Sequence, residues 1–91
     1  MSTIKVRREH QLGSDSARAT VEKLAQKLKR DLDADYHWEG STLKFARSGA
    51  SGRIDVTEDT VEVEVKLGML LGPLKGTIQK TIEDEIDQYL V

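Results

Sequence analysis

The sequence predicts an α+β fold: an antiparallel sheet of four to five strands with two helices on one face, in the order β-α-β-β-β(-β)-α. Three observations carry this expectation. Apolar and polar residues alternate in several short segments, most clearly over residues 60–67, which is the period of a strand with one buried face. Two longer segments, near 14–32 and 73–90, repeat apolar residues at steps of three and four, the mark of an amphipathic helix. Every connection after the first helix is short, which makes the strands beyond it an antiparallel meander.

Residues 3–9 form the first strand, with Ile4 and Val6 on one face and Lys5 and Arg7 on the other. Residues 10–13 end it. Ser14 or Asp15 is placed to cap the first helix, because a short side-chain oxygen accepts an unsatisfied backbone N–H. The helix stripe is Ala17, Val21, Leu24, Ala25, Leu28 and Leu32, with Arg18, Glu22, Lys23, Lys27 and Arg30 on its other side. Residues 36–39 form a second strand, and Gly40-Ser41 is a two-residue hairpin signal. Residues 42–47 follow, with Leu43 and Phe45 on one face. Residues 48–52 are expected to be a loop, after which 53–57 resume the sheet as a separate strand. Glu58-Asp59 turns the chain into 60–67, where Val61, Val63, Val65 and Leu67 point one way.

An apolar connection over 68–72 leads to Pro73, which suits a first helical turn because its missing N–H costs nothing there. Leu74, Ile78, Ile82, Ile86 and Leu90 mark the last helix, with Tyr89 beside them. Pairing the first strand with the last keeps every neighbour antiparallel and lays both helices on the dry face. The layout is a minimal helix-grip-like arrangement, an analogy of topology that does not give function.

Composition narrows the function classes. Ninety-one residues make one domain, 1–91, and bury only roughly 60–65% of the unfolded chain's surface, leaving little material for a deep catalytic cleft. A net charge of -2 with mixed signs argues against nucleic acid as the main partner. With no cysteine, disulfides, thiol catalysis and thiolate zinc sites are excluded. Residues 1–10 lack the apolar core of a signal peptide, and no run of about 18 apolar residues suggests a membrane span.

Candidate site residues are few. Five of the eight residues over 67–74 are large and apolar: Leu67, Met69, Leu70, Leu71 and Leu74. Neighbours on a chain diverge, so they cannot all face one core. They form either a buried plug at the end of the core or an exposed lip that touches lipid, polymer or another protomer. Trp38, Tyr36 and Phe45 form either a cross-strand aromatic cluster or a ligand-lining wall. The apolar contact or ligand-lining set is therefore Trp38, Phe45, Met69, Leu70, Leu71 and Leu74. His10 and His37 have Glu9 and Glu39 near them, but alternation is expected to turn neighbours to opposite faces, so both are read as exposed or incidental. No nucleophile elbow surrounds Ser48 or Ser51, and residues 49–52 are no phosphate loop. No cofactor is expected. Basic residues of the first helix and Glu83, Asp84, Glu85 and Asp87 of the last are either two solvated faces or a complementary surface for a homodimer.

Several fragments in order carry a resemblance. Ile4-Lys5-Val6-Arg7-Arg8 with His10 and Leu12-Gly13 is followed by Trp38-Glu39-Gly40, Leu43-Lys44-Phe45, Arg47-Ser48-Gly49 and Ser51-Gly52. The run Leu67-Gly68-Met69-Leu70-Leu71-Gly72-Pro73-Leu74-Lys75-Gly76-Thr77-Ile78 completes it. Together these resemble the bacterial polyhydroxyalkanoic acid system family, over nearly the whole chain. The resemblance implies a cytoplasmic protein linked to polyester storage granules by association or regulation, with no catalytic residue to carry over. The function expected is non-enzymatic binding through apolar surface, to the granule surface or to granule proteins. The alternative is a small carrier or sensor that holds a hydrophobic acyl-type ligand between sheet and helices. An enzyme ranks last, for want of converging polar groups.

Overall fold

Alternation of side chains dictates one dry sheet face, and the computed structural model shows what covers it. Residues 2–89 are described, and for residues 31, 32 and 89 the backbone alone. The elements are β1 (Ser2–Glu9), α1 (Gly13–Leu32), β2 (Asp35–Glu39), β3 (Thr42–Arg47), β4 (Ala50–Val56), β5 (Thr60–Leu67), a 3₁₀ turn (Gly72–Leu74) and α2 (Lys75–Tyr89). The sheet order is β1-β5-β4-β3-β2, with every pair antiparallel. Residues 42–57 hold two separate strands, as the sequence predicts, and β1 pairs with β5 as the topology requires.

The core is the inward row of each strand: Ile4 and Val6, Leu43, Ile54 and Val56, and Val61, Val63, Val65 and Leu67. Ala17, Val21, Leu24 and Ala25 of α1 and Ile82 and Ile86 of α2 close over it. The expected stripe residues Leu32 and Leu90, with Tyr89, lie outside the described residues and side chains.

Two local expectations are corrected. Neither Ser14 nor Asp15 caps α1; Leu12 holds the cap position without a side-chain cap bond. Its backbone N–H instead donates to His10 Nδ1 at 3.1 Å, so the histidine ring orders the entry to the helix. The loop expected over 48–52 shrinks to a tight turn, and β4 begins at Ala50. Gly49 takes the positive φ this turn needs, +86°.

Gly52 explains why a glycine sits inside a strand. It pairs with Phe45 on one side and Val65 on the other. A Cβ there would stand 2.5 Å from the Glu64 carbonyl oxygen and 2.6 Å from Phe45 Cζ. The Phe45 ring lies where the missing side chain would be. Gly52→Ala is expected to lose about 1–3 kcal/mol through this overpacking. Urea unfolding checks it, and an unchanged midpoint contradicts the account.

Candidate functional site: an apolar tip beside an apolar cavity

The β5–α2 connection is built from the end of a buried strand. Leu67 is the last inward residue of β5 and is buried. The chain then reverses, because the N–H groups of Leu71 and Gly72 both donate to the Gly68 carbonyl, each at 3.1 Å. Gly68 N–H donates to Gly49 O at 2.8 Å, which ties this turn to the β3–β4 turn. Leu71 turns inward and packs against the core. A Cβ on Gly49 would lie 3.3 Å from Leu71 Cδ1, so the bare glycine leaves room for that leucine. Met69 and Leu70 are left at the tip, 85% and 91% exposed, and Leu74 is 48% exposed. The apolar run thus divides: Leu67 and Leu71 plug the core, while Met69 and Leu70 form the lip.

Behind the tip lies a cavity of about 290 Å³, open to solvent, between α1, α2 and the sheet. Phe45, Leu71 and Leu74 line it together with Ala50, Ile78 and Ile82. Its cause is side-chain size. The inward residue of β4 nearest the tip is only Ala50, while the place left bare by Gly52 is filled by the Phe45 ring, itself part of the lining. α2 presents Thr77 and Thr81 to the same space, and Thr81 Oγ1 donates to the Thr77 carbonyl at 3.0 Å, satisfying its hydroxyl within the helix.

Three charged residues border the cavity: Lys27, Arg47 and Glu85. Lys27 Nζ donates to Glu85 Oε1, an ion pair that bridges α1 and α2, and the Glu85 side chain is 12% exposed. Arg47 is exposed and donates from Nε to the Ser48 carbonyl at 3.2 Å. Among the described residues no carboxylate pairs with it.

Trp38 does not join this site. Tyr36 pairs with Phe45 and Trp38 with Leu43, with no bulge, so all three aromatics share the helix-facing side of the sheet. Trp38 is held toward the β2 edge instead. Tyr36 Oη donates to Glu22 Oε2 at 2.8 Å, Trp38 Nε1 donates to Glu22 Oε1 at 3.2 Å, and the Arg18 guanidinium lies 4.6 Å from the Trp38 ring centre. This polar-aromatic clasp fastens α1 to β2 and sets Trp38 apart from the residues that line this cavity.

The histidines also part from expectation. His10 is buried rather than exposed, and its Nε2 has no partner among the described residues. It sits at the end of β1, where its backbone N–H donates to the Asp59 carbonyl at 2.9 Å. His37 and Glu39 are two residues apart, hence on the same face, and His37 Nε2 lies 2.9 Å from Glu39 Oε2. That hydrogen bond, with Lys44 at 3.2 Å, lowers the Glu39 carboxyl below its usual range. Both groups stand on the open sheet face, where Arg7–Glu62 and Arg53–Glu64 also pair across strands. Among the described residues no three His, Asp or Glu converge as metal ligands.

The acidic end of α2 is answered from within the chain. Arg8 of β1 donates to Asp87 Oδ1 at 2.8 Å and stands 3.9 Å from Glu83, which holds its guanidinium above its usual value. No helix of the described residues is long and apolar enough to cross a membrane.

With this geometry in place, comparison with known families is decisive. The family model described as "putative polyhydroxyalkanoic acid system protein" matches residues 4–90. The chain belongs to this polyhydroxyalkanoic acid system family. No curated protein and no solved structure matches it. Tip and cavity both lie inside the matched range of this polyhydroxyalkanoic acid system protein.

Sequence reasoning found Phe45, Leu71 and Leu74 but missed Ala50, Thr77, Thr81 and Arg47. The available signal was the fall in side-chain size along β4 and two threonines four apart beside the α2 stripe. One titration tests the clasp. The hydrogen bond to Glu22, then burial, raise the Tyr36 phenol above its ordinary value near 10. A raised value in the fold means this contact stabilises fully below the ordinary value and is lost as pH rises through the raised one. In a Tyr89→Phe background, Glu22→Gln is expected to move the tyrosinate absorbance transition to lower pH; an unmoved transition contradicts the contact.

Proposed function

We propose that this protein is a non-enzymatic component of the polyhydroxyalkanoate storage system that docks on the apolar polyester surface of cytoplasmic granules through Met69 and Leu70. The observation that carries this reading is the tip itself. Two adjacent large apolar side chains stand almost wholly in water, on a turn held by backbone hydrogen bonds to Gly68 and Gly49. A water-exposed apolar patch on a polar protein marks a contact surface. Membership of a polyhydroxyalkanoic acid system family supports an apolar polymer as the surface in question. Burying each side chain contributes about 1.5–3 kcal/mol, enough for weak attachment by one tip and firmer attachment where several copies share a granule.

The cavity of about 290 Å³ supports a second reading, a carrier or sensor that holds an acyl-type ligand between sheet and helices. The two readings use neighbouring but different residues.

Met69→Asp/Leu70→Asp tests the docking. Its thermal midpoint is expected to stay within about 2 °C, because exposed positions away from packed contacts change stability little. Recovery with washed polyhydroxyalkanoate particles in a sedimentation assay is expected to fall at least about tenfold. Equal recovery of both proteins contradicts the reading. So does a wild-type dimer that the substitutions abolish without any binding to particles.

A further inference from the structure

We infer that the cavity takes a single-chain carboxylate, an unbranched alkanoate of about ten carbons, with its head group on Arg47. This rests on the carrier reading above. Size is the first argument. An apolar protein cavity of about 150 Å³ accommodates benzene, so one of about 290 Å³ holds roughly twice that carbon, or about ten to twelve methylenes.

Shape is the second argument. The space follows α2 from Thr77 to Glu85, about 12 Å of helix, with Leu24 and Leu28 of α1 facing it. Such a length suits a chain better than a ring.

Charge selects the head group. Lys27 and Glu85 pair where they bridge the helices, and among the described residues no carboxylate answers the Arg47 cation on the border. A guanidinium presents a planar fork of N–H donors that matches a carboxylate, so an anionic end is drawn to the mouth while the tail stays among carbon atoms. A neutral alcohol gains only the tail contacts, and a cationic amphiphile is repelled. The tip of a second copy would fill the carbon space without answering Arg47.

Isothermal titration of the full chain with decanoate, decan-1-ol and decyltrimethylammonium, each below its aggregation concentration, tests this. Decanoate is expected to bind one to one, decan-1-ol about tenfold more weakly, and the cation not measurably. Arg47→Glu is expected to weaken decanoate at least about tenfold and leave decan-1-ol within about twofold. Ala50→Leu, which fills the cavity, is expected to abolish both while the protein keeps its far-ultraviolet spectrum. Equal affinities for acid and alcohol, unmoved by Arg47→Glu, overturn the head-group assignment and leave the carrier reading standing. No binding of any of the three, or binding that Ala50→Leu leaves intact, overturns both.

Discussion

A sheet that is dry on one face must be roofed, and two helices are all this chain has for the task. Five strands span about 19 Å between the outer ones, about the width of two helices side by side. The roof fits only if the helices lie close together. Their polar fastenings pull the other way. Glu22 fastens α1 to Tyr36 and Trp38 on β2, one edge of the sheet, while Arg8 of β1, the other edge, fastens α2 through Asp87. Lys27–Glu85 is the bridge across the middle. The cavity lies along the seam between the helices, and it opens where β4 offers only Ala50 beneath it.

The same constraint explains what was legible in the sequence. Strands, helices, strand order and the shared dry face follow from periodicity and from short connections, and these are local properties. Trp38 was not placed, because its fate depends on Glu22, sixteen residues earlier and on another element. The cap of α1 was misassigned because the acceptor for the Leu12 amide is a histidine ring outside the helix, not a serine or aspartate within it. β4 starts earlier than its apolar pattern because Ala50, Ser51 and Gly52 enter the ladder through backbone bonds, which small side chains do not announce. The divided fate of residues 67–74 needed the Gly68–Gly49 bond, a contact between two turns far apart in sequence.

The candidate site gathers at one end of the molecule. The β3–β4 turn and the β5–α2 connection meet there, bringing Met69 and Leu70 beside a space lined by Phe45, Leu71 and Leu74. An apolar tip next to an apolar pocket suits work at the boundary between water and a hydrophobic polymer, in keeping with membership of the polyhydroxyalkanoic acid system family. The opposite sheet face carries charges of both signs, with Arg7–Glu62 and Arg53–Glu64 pairing across strands, and this mixture keeps that side in water.

The central claim is that the helix seam holds real apolar room rather than a collapsed contact. Xenon titration followed by methyl NMR tests it most directly, because apolar cavities take up xenon. The account predicts saturable shifts confined to methyl groups of Leu24, Leu28, Val65, Leu71, Ile78 and Ile82. Shifts absent from these groups, or centred instead on Val6, Val56 and Val61, would contradict it.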